Sequence, residues 1–287
     1  MGSLKALTLA GAVAMFVAPA TIVPGAFAAD LLPPAPELEP VPAAAAAAVG
    51  SGFYLRGDLG AGFDEPANRT STFAAPYTMA ALNAWYGDTS MDTSFIAGLG
   101  VGYQFNSWFR ADVTGEYRSA ATYRATNYYS GSAVACAGLP SGVCGDAYSG
   151  QVSVGLFLVN GYFDLGTWSG LTPYVGAGLG IADYSMGRLT DQSLQVQNPG
   201  FGMSDTASSA NFAWALMAGV AYRLGPDLLL DVGYRYVNMG QINSAPISCN
   251  SVCFHEAQHF DLWSNDLLFG LRWLLPVYAP PIVTAKY

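Results

Sequence analysis

The chain is poor in charge, with Asp, Glu, Lys and Arg at 11% of 287 residues. Lys and Arg number 11 against 20 Asp and Glu, for a formal net charge of −9, and no basic cluster occurs. A nucleic-acid partner is thereby excluded, because phosphate recognition needs a cationic footprint. After the N-terminus no apolar run reaches the roughly 18 residues a membrane helix needs. Histidine is scarce, at two residues, and cysteine at four. No Ser/His/Asp grouping stands out, and no glycine-rich stretch leads into a helix, so neither a hydrolase triad nor a nucleotide loop is indicated.

Glycine, aromatics and alternation are abundant: 33 glycines, 13% aromatic and 52% hydrophobic residues. Residues 93–118 show the pattern best. Phe95, Ala97, Leu99, Val101, Tyr103 and Phe105 alternate with residues that are small or polar apart from Ile96. After Asn106-Ser107, the residues Phe109, Ala111, Val113, Gly115 and Tyr117 alternate with Arg110, Asp112, Thr114, Glu116 and Arg118. A period of two with a short break predicts a β-hairpin. One face is apolar and capped by aromatics, while the other carries tightly alternating charge. That is the outside-apolar, inside-polar arrangement of a transmembrane barrel.

The same alternation predicts strands over 53–63, 93–105, 108–118, 151–164, 171–184, 212–224, 228–236 and 265–275. Short turns at 106–107, 166–170 and 225–227 alternate with long polar loops at 64–92, 119–149, 185–210 and 237–264. The expected fold is all-β: an eight-stranded antiparallel transmembrane β-barrel with short periplasmic turns and long extracellular loops. An even count of strands puts both termini on the periplasmic side. A soluble β-sandwich is the competing fold, and the aromatic caps and the many apolar outward positions argue against it.

Four segments follow. Residues 1–28 read as a signal peptide, with Lys5, an apolar stretch at 7–17 and Ala26-Phe27-Ala28 as the cleavage site. Residues 29–50, rich in proline and alanine, read as a periplasmic linker. The barrel occupies 51–275, and 276–287 is a proline-rich periplasmic tail.

The inward positions hold Arg56, Arg110, Arg118, Arg223, Arg235 and Arg272 together with Asp58, Asp112, Glu116, Asp231 and Asp266. A lumen of eight strands is just wide enough for side chains. The expectation is an ion-pair network that fills it, because an unpaired charge there is costly. A selectivity constriction is the competing reading.

His255-Glu256-Ala257-Gln258-His259 matches the H-E-x-x-H metalloprotease pattern, which needs a helix to bring both histidines to one zinc ion. It follows Cys249-x3-Cys253, so a Cys2His2 site is also conceivable. No third protease ligand is evident, and the segment falls in a loop between strands. The plainer reading is two disulfide candidates, Cys136 with Cys144 and Cys249 with Cys253, with cross-loop pairing left open. No catalytic residue, metal site or cofactor is expected.

Several stretches carry a resemblance: Ala28-Ala29-Asp30-Leu31, Gly52-Phe53-Tyr54-Leu55-Arg56-Gly57, Thr172-Pro173-Tyr174-Val175-Gly176-Ala177-Gly178-Leu179-Gly180, Asp231-Val232-Gly233-Tyr234-Arg235-Tyr236 and Leu268-Phe269-Gly270-Leu271-Arg272-Trp273. Over about residues 50–275 the chain resembles the small porin-family outer-membrane β-barrel surface proteins of alphaproteobacteria. These are related in architecture to the OmpA and OmpX type. The resemblance implies an envelope-structural and surface-display role, sometimes host contact, and no catalysis. The partners it implies are outer-membrane lipid and lipopolysaccharide, the barrel-assembly machinery, and a host surface or small solutes. The alternatives are a small diffusion porin and a surface adhesin acting through its loops. The chain departs from the family at its end, where 276–287 runs on beyond Trp273.

Overall fold

The computed structural model describes residues 51–130, 143–194, 200–249 and 255–275. The segments assigned to a signal, linker and tail, and with them Cys136 and Cys253, lie outside the described residues.

Eight strands close into a ring: β1 (Gly52–Thr72), β3 (Ser94–Gln104), β4 (Phe109–Ser130), β5 (Val143–Asp164), β6 (Leu171–Met186), β9 (Ala207–Arg223), β10 (Leu228–Asn243) and β12 (Ala257–Leu274). Each pairs antiparallel with its neighbour in that order, and β12 returns to β1. Closure leaves no edge along the ring, which a strand surrounded by lipid requires. Among the described residues, four short strands lie outside it: β2 (Ala84–Met91), β7 (Thr190–Ser193), β8 (Phe201–Ser204) and β11 (Ile247–Cys249).

The outer surface carries the apolar parity. Phe53, Leu55, Leu59 and Phe63 are exposed along β1, as are Phe95, Leu99 and Val101 along β3 and Leu267, Phe269, Leu271 and Trp273 along β12. From Phe53 to Phe63 the chain rises ~33 Å, and at a tilt of about 40° this spans ~25 Å, the apolar height of such barrels. Aromatics bound this band. At the turn end, Phe53, Tyr103, Phe105, Phe109 and Phe163 pack ring to ring, with centroid separations of 4.9 to 5.3 Å. At the other end Trp214, Tyr236 and Trp263 also pack ring to ring, at 5.6 and 6.0 Å.

The strands run on past the band, and here the structure corrects the loop boundaries read from the sequence. Residues 64–72 continue β1, 119–130 continue β4, 143–150 begin β5, and 257–264 begin β12. β2 joins this extension by pairing with β4, while β7 pairs with β5 and links on to β8 and β11. Together they form a crown at the end opposite the short turns. The sequence hides the crown because bulges interrupt the ladder at its base. Register shifts fall between Arg118 and Ala121, between Ala67 and Thr70, and between Asn238 and Gln241. A bulge adds one residue and reverses which parity faces in. On β4 the inward residues change from Arg110, Asp112, Glu116 and Arg118 to Ala121, Tyr123 and Ala125. Outside the lipid the outer face is no longer required to be apolar, so the alternation disappears along with its parity.

Candidate functional site

The site is the filled interior. Its charged side chains come from β1, β4, β5, β10 and β12. Nearest the crown, Arg118 and Arg235 grip one carboxylate from two sides. Arg118 binds Asp266 bidentately, at 2.9 Å from Nη1 and 2.8 Å from Nη2, and donates from Nη2 to Asp64 at 2.9 Å. Arg235 donates to Asp266 from Nε at 2.9 Å and to both oxygens of Glu116, at 2.9 and 2.6 Å. Ser264 donates to Asp266 at 2.6 Å and accepts from Arg118 at 2.6 Å. Asp266 is fully buried. Fork-on-fork geometry of this kind is what makes a desolvated ion pair tolerable.

Deeper, Arg56 binds Asp58 through two nitrogens at 2.8 Å each and reaches Asp112 at 3.0 Å and the Tyr162 hydroxyl at 2.8 Å. Asn160 and Tyr54 also donate to Asp112, at 2.8 and 3.0 Å. At the turn end, Arg110 pairs with Asp164 at 3.2 Å and lies over the rings of Tyr162 and Tyr174, at 4.0 and 4.8 Å from their centroids. Arg272 pairs with Asp231 at 3.3 Å beside the ring of Tyr54. The inward glycines make room for these large groups: a methyl at Gly62 would collide with Arg118, and one at Gly102 with the Tyr54 ring.

Of the residues named from the sequence, Arg223 does not join this network. It is the last residue of β9 and donates to the Pro226 carbonyl at 3.1 Å in the exposed turn, because its strand ends before its side chain reaches the lumen. Two acids that the sequence reading left out do join. Asp64 opens a segment whose polarity reads as a loop, and Asp164 lies where the alternation of its strand weakens. Both keep the inward parity of Gly62 and Tyr162, which is the signal that would have found them.

The opposite wall is apolar, so the ion-pair network expected to fill the lumen lines only part of it. Val152, Val154, Leu156 and Leu158 of β5, Ala182 of β6, and Ala213 and Ala215 of β9 are buried together. Above them Tyr123 of β4 and Phe260 of β12 stack across the interior at 4.3 Å and 7°. The cavities lined by Arg56, Asp58, Tyr162, Met217, Arg235 and Leu268 measure about 10 and 20 Å³. Each has room for about one water.

The H-E-x-x-H pattern has no helix. His255 precedes β12 with φ +47°, and His259 is in the strand, bonded to Asn243 at 2.6 Å and Thr72 at 3.1 Å. Without a helix, His255 and His259 are not brought to one face as the pattern requires. Glu256 points into the crown, where it accepts from Tyr148 at 2.6 Å and Asn127 at 2.8 Å. Among the described residues, no group of three or more His, Cys, Asp and Glu could hold a metal ion. Cys144 is buried and Cys249 half-buried, and the partner named for each lies outside the described residues.

A match to a family model agrees with this architecture. A family model described as the outer membrane protein beta-barrel domain matches residues 40–273. An uncharacterized protein of Brucella suis biovar 1 is 36% identical over 236 residues, covering 78% of this chain and 79% of that protein. Outer membrane protein PagN of Salmonella typhimurium is 28% identical, covering 80% of this chain and 92% of that protein. Among solved structures, the outer membrane protein OprG from Pseudomonas aeruginosa superposes with a TM-score of 0.43 at 15% identity, covering 79% of this chain and 97% of that one.

Proposed function

Because the chain belongs to the outer membrane protein beta-barrel domain family, we propose that it is an integral envelope protein with a sealed lumen. The barrel anchors the crown, and the crown is what the cell displays. The observation that carries this reading is the interior itself. Arginine–carboxylate pairs on one wall meet packed Val, Leu and Ala on the other, with water-sized cavities between them. A diffusion pore needs a continuous wet path, and the Tyr123–Phe260 stack lies across one. β1 begins and β12 ends at the turn side of the barrel; in this reading that side faces the periplasm and the crown faces the medium amid lipopolysaccharide.

The test is planar-bilayer recording with the purified full-length protein, its folded state verified by heat-modifiable gel migration. The expected result is membrane insertion without unitary current steps. Stable, reproducible channels from the folded protein would overturn the sealed-lumen reading and favour the porin. Trypsin treatment of whole cells checks orientation: cleavage at Arg124 and Arg188, exposed on the crown, is expected, with the membrane band protected.

A further inference from the structure

Three carboxylates converge inside the crown from three separate elements. Asp146 is on β5, Asp191 on β7, and Glu256 on the approach to β12. On β5 and β7, Asp146 sits opposite Ser193 and Tyr148 opposite Asp191, so the two aspartates are diagonal neighbours. Such neighbours lie about 7–8 Å apart at the backbone and closer at the side chains. Tyr148, between them on the inward face, donates to Glu256 at 2.6 Å and lies 3.3 Å from the Tyr129 hydroxyl. From β4, Asn127 donates to Glu256 at 2.8 Å, and from β12 Gln258 does so at 3.4 Å.

The cation facing this group is Arg69 of β1. It lies over the ring of Tyr86 from β2 and donates to Asn127 and to the Thr126 carbonyl. Ser71 of β1 and Tyr123 of β4 complete the polar surroundings of Glu256 and Arg69. Tyr77 packs beside Tyr129 and Cys144. Residues 131–142, 195–199 and 250–254 contain no Asp, Glu, Lys, Arg or His, so they bring no further charge. Three acids therefore face one guanidinium.

We propose that the crown is a proton-operated clasp. Protonated, Asp146, Asp191 and Glu256 hold β5, β7 and the start of β12 together. Ionised, they repel one another and loosen the crown while the barrel beneath stays closed. This goes beyond the envelope role and does not depend on whether the lumen conducts.

The direction follows from burial. Desolvation, and next the nearby acids Asp146 and Glu256, push Asp191 up to about 8. Desolvation raises Asp146 to about 6 against the pull of Tyr129, with Glu256 adding to the rise. Desolvation also raises Glu256, against the hydrogen bonds it accepts from Tyr148 and Gln258 and the charge of Arg69. Both aspartates are half-buried, so water screens part of the repulsion. Carboxylates whose folded values exceed the unfolded ones bind more protons when folded. The crown is therefore most stable in acid and loses stability as pH rises, the last loss falling near pH 8.

The test is hydrogen–deuterium exchange on the folded full-length protein in detergent micelles at about pH 5.5, 7 and 8.5, corrected for intrinsic exchange rates. Peptides covering 143–150, 190–193 and 256–260 are expected to lose about tenfold in protection from the lowest to the highest pH, while 96–104 and 228–236 hold theirs. The double substitution Asp146→Asn with Asp191→Asn should keep the crown protected at every pH. Protection of wild-type crown peptides that does not vary with pH overturns the proposal. So does an unchanged pH response in the double variant. If that variant does not fold, the wild-type profile set against the barrel peptides decides alone.

Discussion

Arg118 shows what one side chain does in a closed lumen. It is 1% exposed and ties Asp64 on β1 to Ser264 and Asp266 on β12 across the interior. Replacing it with methionine leaves Asp64 with no cation of its own and Asp266 with one arginine instead of two. Breaking a buried pair in this way costs about 3–5 kcal/mol. Arg118→Met is therefore expected to lower unfolding free energy by that order in urea titrations followed by heat-modifiable gel migration. Combined with Asp266→Asn, the loss should be smaller than the sum of the two single losses, since both substitutions break the same contact. Gly62 supplies a local check. A methyl there would press on the Arg118 guanidinium. Gly62→Ala should cost about 1–3 kcal/mol in the wild type and less in the Arg118→Met background, where the flexible methionine can give way. Equal costs in both backgrounds would mean that Gly62 serves some purpose other than room for Arg118.

At the scale of a strand, β5 sets two neighbouring residues against each other. Leu156 is 0% exposed and faces the apolar wall of the lumen, while Phe157 is 58% exposed and faces lipid. Leu156→Ala should cost about 2–5 kcal/mol as a buried cavity. Phe157→Leu should cost under about 1.5 kcal/mol, but Phe157→Arg about 2–4 kcal/mol, because it sets a charge near the middle of the bilayer. Urea unfolding in lipid vesicles measures all three. If Phe157→Arg were free of cost, Phe157 would not be meeting hydrocarbon.

β5 also shows how far a sequence can be read. Where only one face was apolar, as in 53–63 or 228–236, parity alone assigned inside and outside. In 151–164 both faces are apolar, so the inward Val152, Val154, Leu156 and Leu158 carried no sign of which way they point. The crown was illegible for another reason. Its strands lie beyond lipid, and their bulges at Arg118, Ala67 and Asn238 reverse the parity on which the reading relied. Most of the charged interior could be found from the sequence because arginine and carboxylate stand out at inward positions. Arg223 misled because parity says nothing about where a strand stops.

Over the whole molecule, charge and packing together determine what the lumen would do if opened. Among the described residues, five arginines (Arg56, Arg110, Arg118, Arg235 and Arg272) face seven acids (Asp58, Asp64, Asp112, Glu116, Asp164, Asp231 and Asp266). The interior is thus acidic on balance, and what blocks it is uncharged bulk. Met217 and Leu268 line both small cavities, and Phe260 closes the way to the crown against Tyr123. Trimming these three to alanine removes the bulk and leaves every ion pair in place. Where the wild type is silent, the folded Met217→Ala, Leu268→Ala, Phe260→Ala protein should conduct. A salt gradient should give it a reversal potential of cation-selective sign, since surplus carboxylates attract cations into a narrow polar path. Anion selectivity would mean that the arginines, not the carboxylates, govern the open path. Continued silence in a folded variant would place the seal in the ion pairs themselves.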